Sequence, residues 1–440
     1  MDAFLLLVLL FVFSMLGVLL GTLTGLVPGF HPNNVAFILL SIAPVIIAAP
    51  HFLHAFVPSD TLLVLVAATI LAASVAHTFL SFIPAAFIGA PEGDTALVLL
   101  PAHRLLLEGR AYEATVLSVI GSFGAVIFSF LFFIPFYFIF ASLHFYEILQ
   151  SLMIYILIGI SALLILTESF SERMEAYQAV LLSSSVFILS GLFGYVILNM
   201  PVHAPFLFRS TMLFPALTGL FGLSTILFSL LYTPEIPEQV IEEPVIEKVS
   251  IMKSVISGSA FGSLVRFLPG ITSAHATVMA MLARRNREPE QVIMTLSGVN
   301  TANVIFCLET LFLISRARSG ATIAISRLLD VQPWEELIIP PSALVYLLIA
   351  VLIAAPFSFF ITKYIGKQFA LQFARLPYRK MLGGIAIFLA VLVFLFTGAL
   401  GLLVLLVGTC IGIIPIHFGV RRSNCMGVLL LPIIVMLWQL

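Results

Sequence analysis

Arg266 stands four residues ahead of Gly270 in "RFLPGITSAH" (266–275), inside otherwise apolar sequence. A guanidinium at membrane depth is costly unless it faces a partner or a watery cavity, or snorkels to the interface. The Pro-Gly pair beside it interrupts a helix, and such a break in hydrocarbon leaves N–H and C=O groups in need of partners. A second break of this kind lies in "TGLVPGFHPNN" (24–34). Half-helix N-termini offer partial positive charge to an anion, while freed carbonyls can hold a cation. Gly29 and Gly270 therefore mark a candidate central site; the plainer alternative is that they permit a kink or close helix packing. Around the first break stand His31, Asn33 and Asn34, and around the second Ser273 and His275. The amides and hydroxyls either bind substrate or satisfy broken backbone. The imidazoles either relay protons or serve as hydrogen-bonded structural groups.

Three further constellations carry polar chemistry. "LISRARSGATIA" brings Arg316 and Arg318 to a small-residue turn with Gly320 and Thr322. Two guanidiniums there either hold a carboxylate or phosphate bidentately or mark a helix end at the membrane surface. "GAPEGDTAL" supplies Glu92, Asp94 and Thr95, which either pair with arginine, hold a cation or carry protons, or else form a solvated turn. "SGVNTANV" adds Asn300, Thr301 and Asn303, suited to an oxygen-lined cation or substrate site, and Glu309 lies deep in "FCLETLFLI". Neither a P-loop nor H-E-x-x-H occurs, so the chain shows no ATPase or zinc-protease motif and is not expected to be an enzyme. Cys307, Cys410 and Cys425 lack metal-ligand spacing and read as core residues.

The elements that must position these groups are membrane helices. Of 440 residues, 61% are hydrophobic and only 9% charged, against about a quarter charged in soluble domains. Apolar runs of about 20 residues recur. The first, "DAFLLLVLLFVFSMLGVLL", has no basic flank and reads as a retained helix. No basic block suggests nucleic acid. The hydrophilic stretch 233–253 is rich in proline and glutamate and reads as a linker between two membrane halves, 1–232 and 254–440. "GTLTGLVPG" from Gly21 aligns with "GSLVRFLPG" from Gly262. The loop following the first signature, "HFLHAFVPSD", has no Lys or Arg, whereas "RRNREPEQ" after the second carries Arg284, Arg285 and Arg287. By the positive-inside rule these equivalent loops lie on opposite faces, which makes the halves inverted repeats with a cytoplasmic linker and both termini outside.

At these motifs the chain resembles the TctA family, the large membrane subunit of tripartite tricarboxylate transporters. Gly25, Pro28, Gly29, Pro32, Ala36, Leu39 and Leu40 match its first Pro-Gly signature, with His31 in place of a glycine. Gly93, Thr95, Pro101, Gly109 and Ala111 match a later segment. Leu268 to Gly270 and "GVNTAN" (Gly298, Val299, Ala302, Asn303) match the second half. A departure falls where the family has a Gly-Ile-Pro-Gly hairpin and this chain has "SRARSG". The resemblance implies carboxylate transport driven by a cation gradient, with a small membrane subunit and an extracytoplasmic solute-binding protein as partners.

The resulting expectation is an all-α polytopic membrane protein of the cell membrane, with two inverted-topology repeats, broken helices, re-entrant hairpin-like segments and roughly 12–14 crossings. It acts as a secondary transporter of an organic anion, most simply a di- or tricarboxylate, with Na+ or H+ as coupling ion and no cofactor or metal. The alternatives are a translocase of polyprenyl phosphate or another anionic lipid, for which the Arg316/Arg318 pair speaks, and a membrane-embedded lipid-modifying enzyme. Membrane lipids are expected neighbours, and a homo-oligomer is left open.

Overall fold

The computed structural model describes residues 2–27, 32–47, 57–88, 99–139, 145–166, 168, 174–201, 212–231, 237–267, 273–284, 288–335, 339–373 and 378–439. Among them all regular structure is helical, and seven helices are long and apolar enough to cross a membrane. The chain is an all-α polytopic membrane protein. Its first part runs α1 (Ala3–Leu26), α2 (Pro32–Ile47), α3 (Ser59–Leu80, followed by a π-helical turn Pro84–Ile88), α4 (Leu99–Leu107), α5 (Ala111–Tyr137), α6 (Phe145–Leu166) and α7 (Ala176–Leu198). Then α8 (Leu213–Leu217) passes through a π-turn, Thr218–Leu223, into α9 (Ser224–Leu231). Beyond the hydrophilic stretch come α10 (Lys248–Phe267), α11 (Ser273–Arg284), α12 (Pro289–Ile314), α13 (Gly320–Leu328), α14 (Ser342–Phe373), α15 (Tyr378–Phe418) and, after a 3-10 turn at Arg422–Met426, α16 (Gly427–Trp438).

Local chemistry sets many of the boundaries. The Asp2 carboxylate accepts from the Phe4 N–H and caps α1. Pro289 opens α12, where its missing N–H costs nothing. That helix ends at Ser315 in the left-handed region (φ 50°), which turns the chain out before α13. Within α15, Gly398 (φ 69°) interrupts the helix.

Burial identifies the central pair. The apolar stretch of α3 is 78% buried and that of α12 is 83% buried, while α1 buries only 22% of its own. α3 packs on α1, on α2 and on α14; α12 packs on α10, on α11 and on α5. Small residues allow the close approach. Gly17, Gly21 and Gly25 line the α1 face against α3, and a Cβ on Gly17 would stand 2.5 Å from the Thr69 carbonyl oxygen. Gly258 and Gly262 do the same for α10 on α12, where a Cβ on Gly262 would stand 2.6 Å from the Val299 carbonyl oxygen. Between lipid-soluble helices this backbone proximity supplies the dispersion contacts that water exclusion supplies elsewhere.

α6, α7, α8, α9, α15 and α16 form a second bundle beside this core, joined to it where Met153, Leu157 and Leu430 meet Val265, Ala276 and Val299. Arg422, which opens the 3-10 turn ending at Met426, is buried here. Its guanidinium donates to the Leu220 and Phe221 carbonyls, at 3.0 and 2.5 Å, and to the hydroxyls of Ser224 and Thr225. Those carbonyls sit in the π-turn, where the widened helix frees acceptors, so one side chain supplies the missing donors.

The hydrophilic stretch is more than a connector. Gln239 accepts from the Ala111 N–H and donates to the Leu106 carbonyl, at 3.0 and 3.1 Å, capping α4 and α5 together. Val240 donates to the Gly109 carbonyl, and Lys363 of α14 pairs with Glu243. The segment is thus strapped across the α4–α5 corner, where Gly109 (φ 79°) makes the turn.

Candidate functional site

The two central helices present matching stripes to one cavity, all polar on the first and polar except for Val304 on the second. On α3 and just past it these are Ser74, His77, Thr78 and Ser81; on α12 they are Asn300, Asn303, Val304 and Cys307. Both sets follow the spacing i, i+3, i+4, i+7, one face of an α-helix. The stripes enclose a cavity of about 60 Å3, room for a few water molecules. Asn33 of α2, Arg266 of α10, Ser319, Ala321 and Thr322 complete its wall. Residues from before and after the hydrophilic stretch therefore build one site. Buried Thr78 and Thr301 hydroxyls lie 3.0 Å apart and tie α3 to α12 beside it.

Helix N-termini converge there. α2 enters with Pro32 and Asn33, and α13 enters with Ser319 to Thr322. The start of α11 is held close by Asn303, whose amide donates to the Ser273 hydroxyl at 2.9 Å. Each terminus contributes partial positive charge. At α13 the first-turn N–H groups are already engaged. Asn33 accepts from Ala321 N at 3.0 Å, the Ser319 hydroxyl accepts from Thr322 N, and the Thr322 hydroxyl accepts from Ser319 N and Arg318 N. This reciprocal Ser319–Thr322 arrangement is a capping box. Gly320 is required where it stands, because a Cβ would meet Asn33 at 2.7–2.9 Å.

Arg266 brackets the site. Its Nε donates to the Asn303 carbonyl at 3.2 Å and one terminal nitrogen donates to the Arg318 carbonyl at 3.1 Å. Two of five donors are thus spent on backbone, and the guanidinium still lines the cavity. Among the described residues no carboxylate pairs with it. The Asn303 side-chain oxygen is buried without a hydrogen-bond partner. It is an acceptor in the cavity wall, and such groups are costly to leave unmet.

Of the other residues singled out from sequence, Asn300 lines the cavity and Ser273 joins it through Asn303. Glu309 lies further along α12, fully buried, with neither carboxyl oxygen hydrogen-bonded. Arg316 is exposed on the turn after Ser315 and Arg318 is half-buried; neither lines the cavity. Gly29, His31, Gly270, Glu92, Asp94 and Thr95, with the side chains of Asn34 and His275, lie outside the described residues. Sequence reading passed over Ser74, His77, Thr78 and Ser81. Their signal was present in "SVAHTFLS": polar residues at one-face spacing within a run that otherwise reads as hydrocarbon.

The family match places this bundle of membrane helices among membrane transport proteins. The chain belongs to the tripartite tricarboxylate transporter TctA family, whose model matches residues 11–427. It is therefore a component of a tripartite transporter, a system that also comprises a small membrane subunit and a binding protein. It is 30% identical, over 434 residues, to an uncharacterized protein of Methanocaldococcus jannaschii; the match covers 96% of this chain and 98% of that protein. No solved structure matches the chain.

Proposed function

We propose that this chain is the substrate-conducting subunit of a tripartite carrier in the cell membrane, moving a di- or tricarboxylate by alternating access coupled to Na+ or H+. The observation that carries this reading is the cavity between α3 and α12. Three helix N-termini and Arg266 give it positive character, which suits an anion, and Asn300 and Asn303 offer oxygen ligands for a substrate hydroxyl or a cation. In this reading residues 1–232 and 254–440 are inverted repeats, with the substrate held where they meet.

Reciprocal packing supports the repeats. α3 lies on α1 of its own half and α14 of the other, while α12 lies on α10 of its own half and α5 of the other. Likewise α1 reaches α14 as α10 reaches α5, and α13 touches α3 as α4 touches α12. Rocking one set of helices against the other would open the cavity first to one face and then to the other. His31, Asn34, Glu92, Asp94 and the Arg316/Arg318 turn belong to the same proposal as groups around the path.

The test is uptake of labelled citrate and succinate into proteoliposomes carrying this chain, with and without its small subunit and binding protein, under imposed Na+ or H+ gradients. Gradient-driven accumulation of either acid supports the reading. No accumulation from the complete assembly, with polyprenyl phosphate flipped instead, would replace it with lipid translocation.

A further inference from the structure

A second cavity, of about 470 Å3, opens where α10 and α12 begin and α11 ends. It shares no residue with the cavity between α3 and α12. Glu247, Val249, Ser250, Lys253, Arg284 and Gln291 line it. The ends of membrane helices stand at headgroup depth, and the charged residues Glu247, Lys248, Glu288 and Glu290 gather at these same ends.

Arg284 is held there without being neutralised. Its Nη1 donates to the hydroxyls of Ser254 and Thr295, at 2.8 and 3.5 Å, and its Nη2 donates to the Gln291 side-chain oxygen at 2.6 Å. These uncharged acceptors pin the end of α11 between α10 and α12. They spend at most three of the five guanidinium N–H groups. Among the described residues no carboxylate stands within ion-pair distance of Arg284 or Lys253, and Glu288 attracts the guanidinium from further off. α10 also carries an apolar face away from the cavity. Val249, Met252 and Ile256 are exposed at the spacing i, i+3, i+7, one side of the helix. Val249 belongs both to this stripe and to the cavity wall, and the exposed Lys253 stands four residues on.

We propose that this cavity binds the headgroup of an anionic phospholipid, with the phosphodiester between Lys253 and Arg284 and an acyl chain along Val249, Met252 and Ile256. Two cations against the carboxylate of Glu247 leave one positive charge, which the single negative charge of a phosphodiester matches. The Ser250 hydroxyl adds a donor, and Glu247 accepts from headgroup hydroxyls. Basic pockets between membrane helices at the interface select lipid phosphates on the same grounds. A lipid on Arg284 steadies the end of α11, whose first residue, Ser273, is bonded to Asn303 in the wall of the other cavity. The lipid site stands whether or not that other cavity takes a carboxylate.

The experiment follows binding of dioleoyl phosphatidylglycerol to the full chain in detergent micelles, by native mass spectrometry and by thermal unfolding, for wild type, Lys253→Gln and Lys248→Gln. Lys248 is exposed at the start of α10 and does not line the cavity, so it reports diffuse attraction. The lipid is expected to raise the wild-type midpoint. Lys253→Gln is expected to weaken its affinity about fivefold, and Lys248→Gln to weaken it far less. Lys253 has no partner in the fold to lose, so its variant reads binding rather than folding. Equal affinity in wild type and Lys253→Gln, or equal losses in the two variants, overturns the site. Dioleoylglycerol, which has the same chains and no phosphate, should leave the midpoint unmoved; a shift as large as that of the phospholipid overturns the headgroup assignment. Inorganic phosphate that shifts the midpoint as far as the phospholipid does would make this a site for a free anion and overturn the lipid.

Discussion

Gly320→Ala tests how α2 meets the start of α13. The added Cβ would stand 2.7 Å from Asn33 Cγ, 2.8 Å from its Cβ and 2.9 Å from its Oδ1. Rotating Asn33 away cannot relieve the contact, because its Cβ is fixed to the first turn of α2; the helix ends must part. Overpacking of this kind costs about 1–3 kcal/mol. Losing the Asn33 cap on the Ala321 N–H adds about 1 kcal/mol. The better helix propensity of alanine returns at most about 1 kcal/mol. The net expectation is a destabilisation of about 1–3 kcal/mol, read as a lowered midpoint in thermal unfolding in nanodiscs. Asn33→Gly removes the opposing atoms, so the double variant should be less destabilised than the sum of the two singles. A Gly320→Ala protein as stable as wild type, or strictly additive singles, would refute the contact of α2 with the start of α13.

Further expectations concern the strap and the second bundle. Gln239→Ala should cost about 1–2 kcal/mol, because it uncaps α4 and α5 together, and should speed proteolysis of the 237–247 segment; Glu243→Gln, which removes only an exposed pair with Lys363, should change neither. Arg422→Lys should cost about 2–3 kcal/mol in thermal unfolding, since one ammonium cannot serve two π-turn carbonyls and two hydroxyls. Burial pushes the Glu168 carboxyl above the usual range, with Arg421 pulling it partly back. A carboxyl raised in the folded state contributes stability below its unfolded pKa and loses it as pH rises through the folded value. Glu168→Gln should therefore be more stable than wild type at alkaline pH, with the gap closing as pH falls toward the ordinary carboxylate range, in unfolding midpoints measured across pH.

The membrane class and the site's outline were legible because both rest on composition and on polar groups too costly to place idly in hydrocarbon. Arg266, Asn33, Asn300, Asn303 and Thr322 stood out against their apolar surroundings, and they meet at one cavity. His77 did not stand out, because its helix reads as one apolar run until the four-residue polar stripe is projected on a wheel. Arg316 and Arg318 were conspicuous, yet the left-handed Ser315 turns the chain away and their side chains lie outside the cavity lining. Arg422 has the sequence context of a loop; only the π-turn it serves explains its burial, and a single widened turn leaves no periodic mark. The role of Gln239 as a double cap was equally hidden, since one side chain spanning two helix ends depends on where the strap lies.

The most direct test of the central claim is the thermal stabilisation of the purified chain in nanodiscs by citrate and by polyprenyl phosphate, for wild type, Asn303→Leu and Arg266→Gln. An anion held in the cavity between α3 and α12 predicts that citrate raises the wild-type midpoint and that both variants lose most of that shift. A citrate shift unchanged in the variants, or stabilisation by polyprenyl phosphate alone, would contradict it.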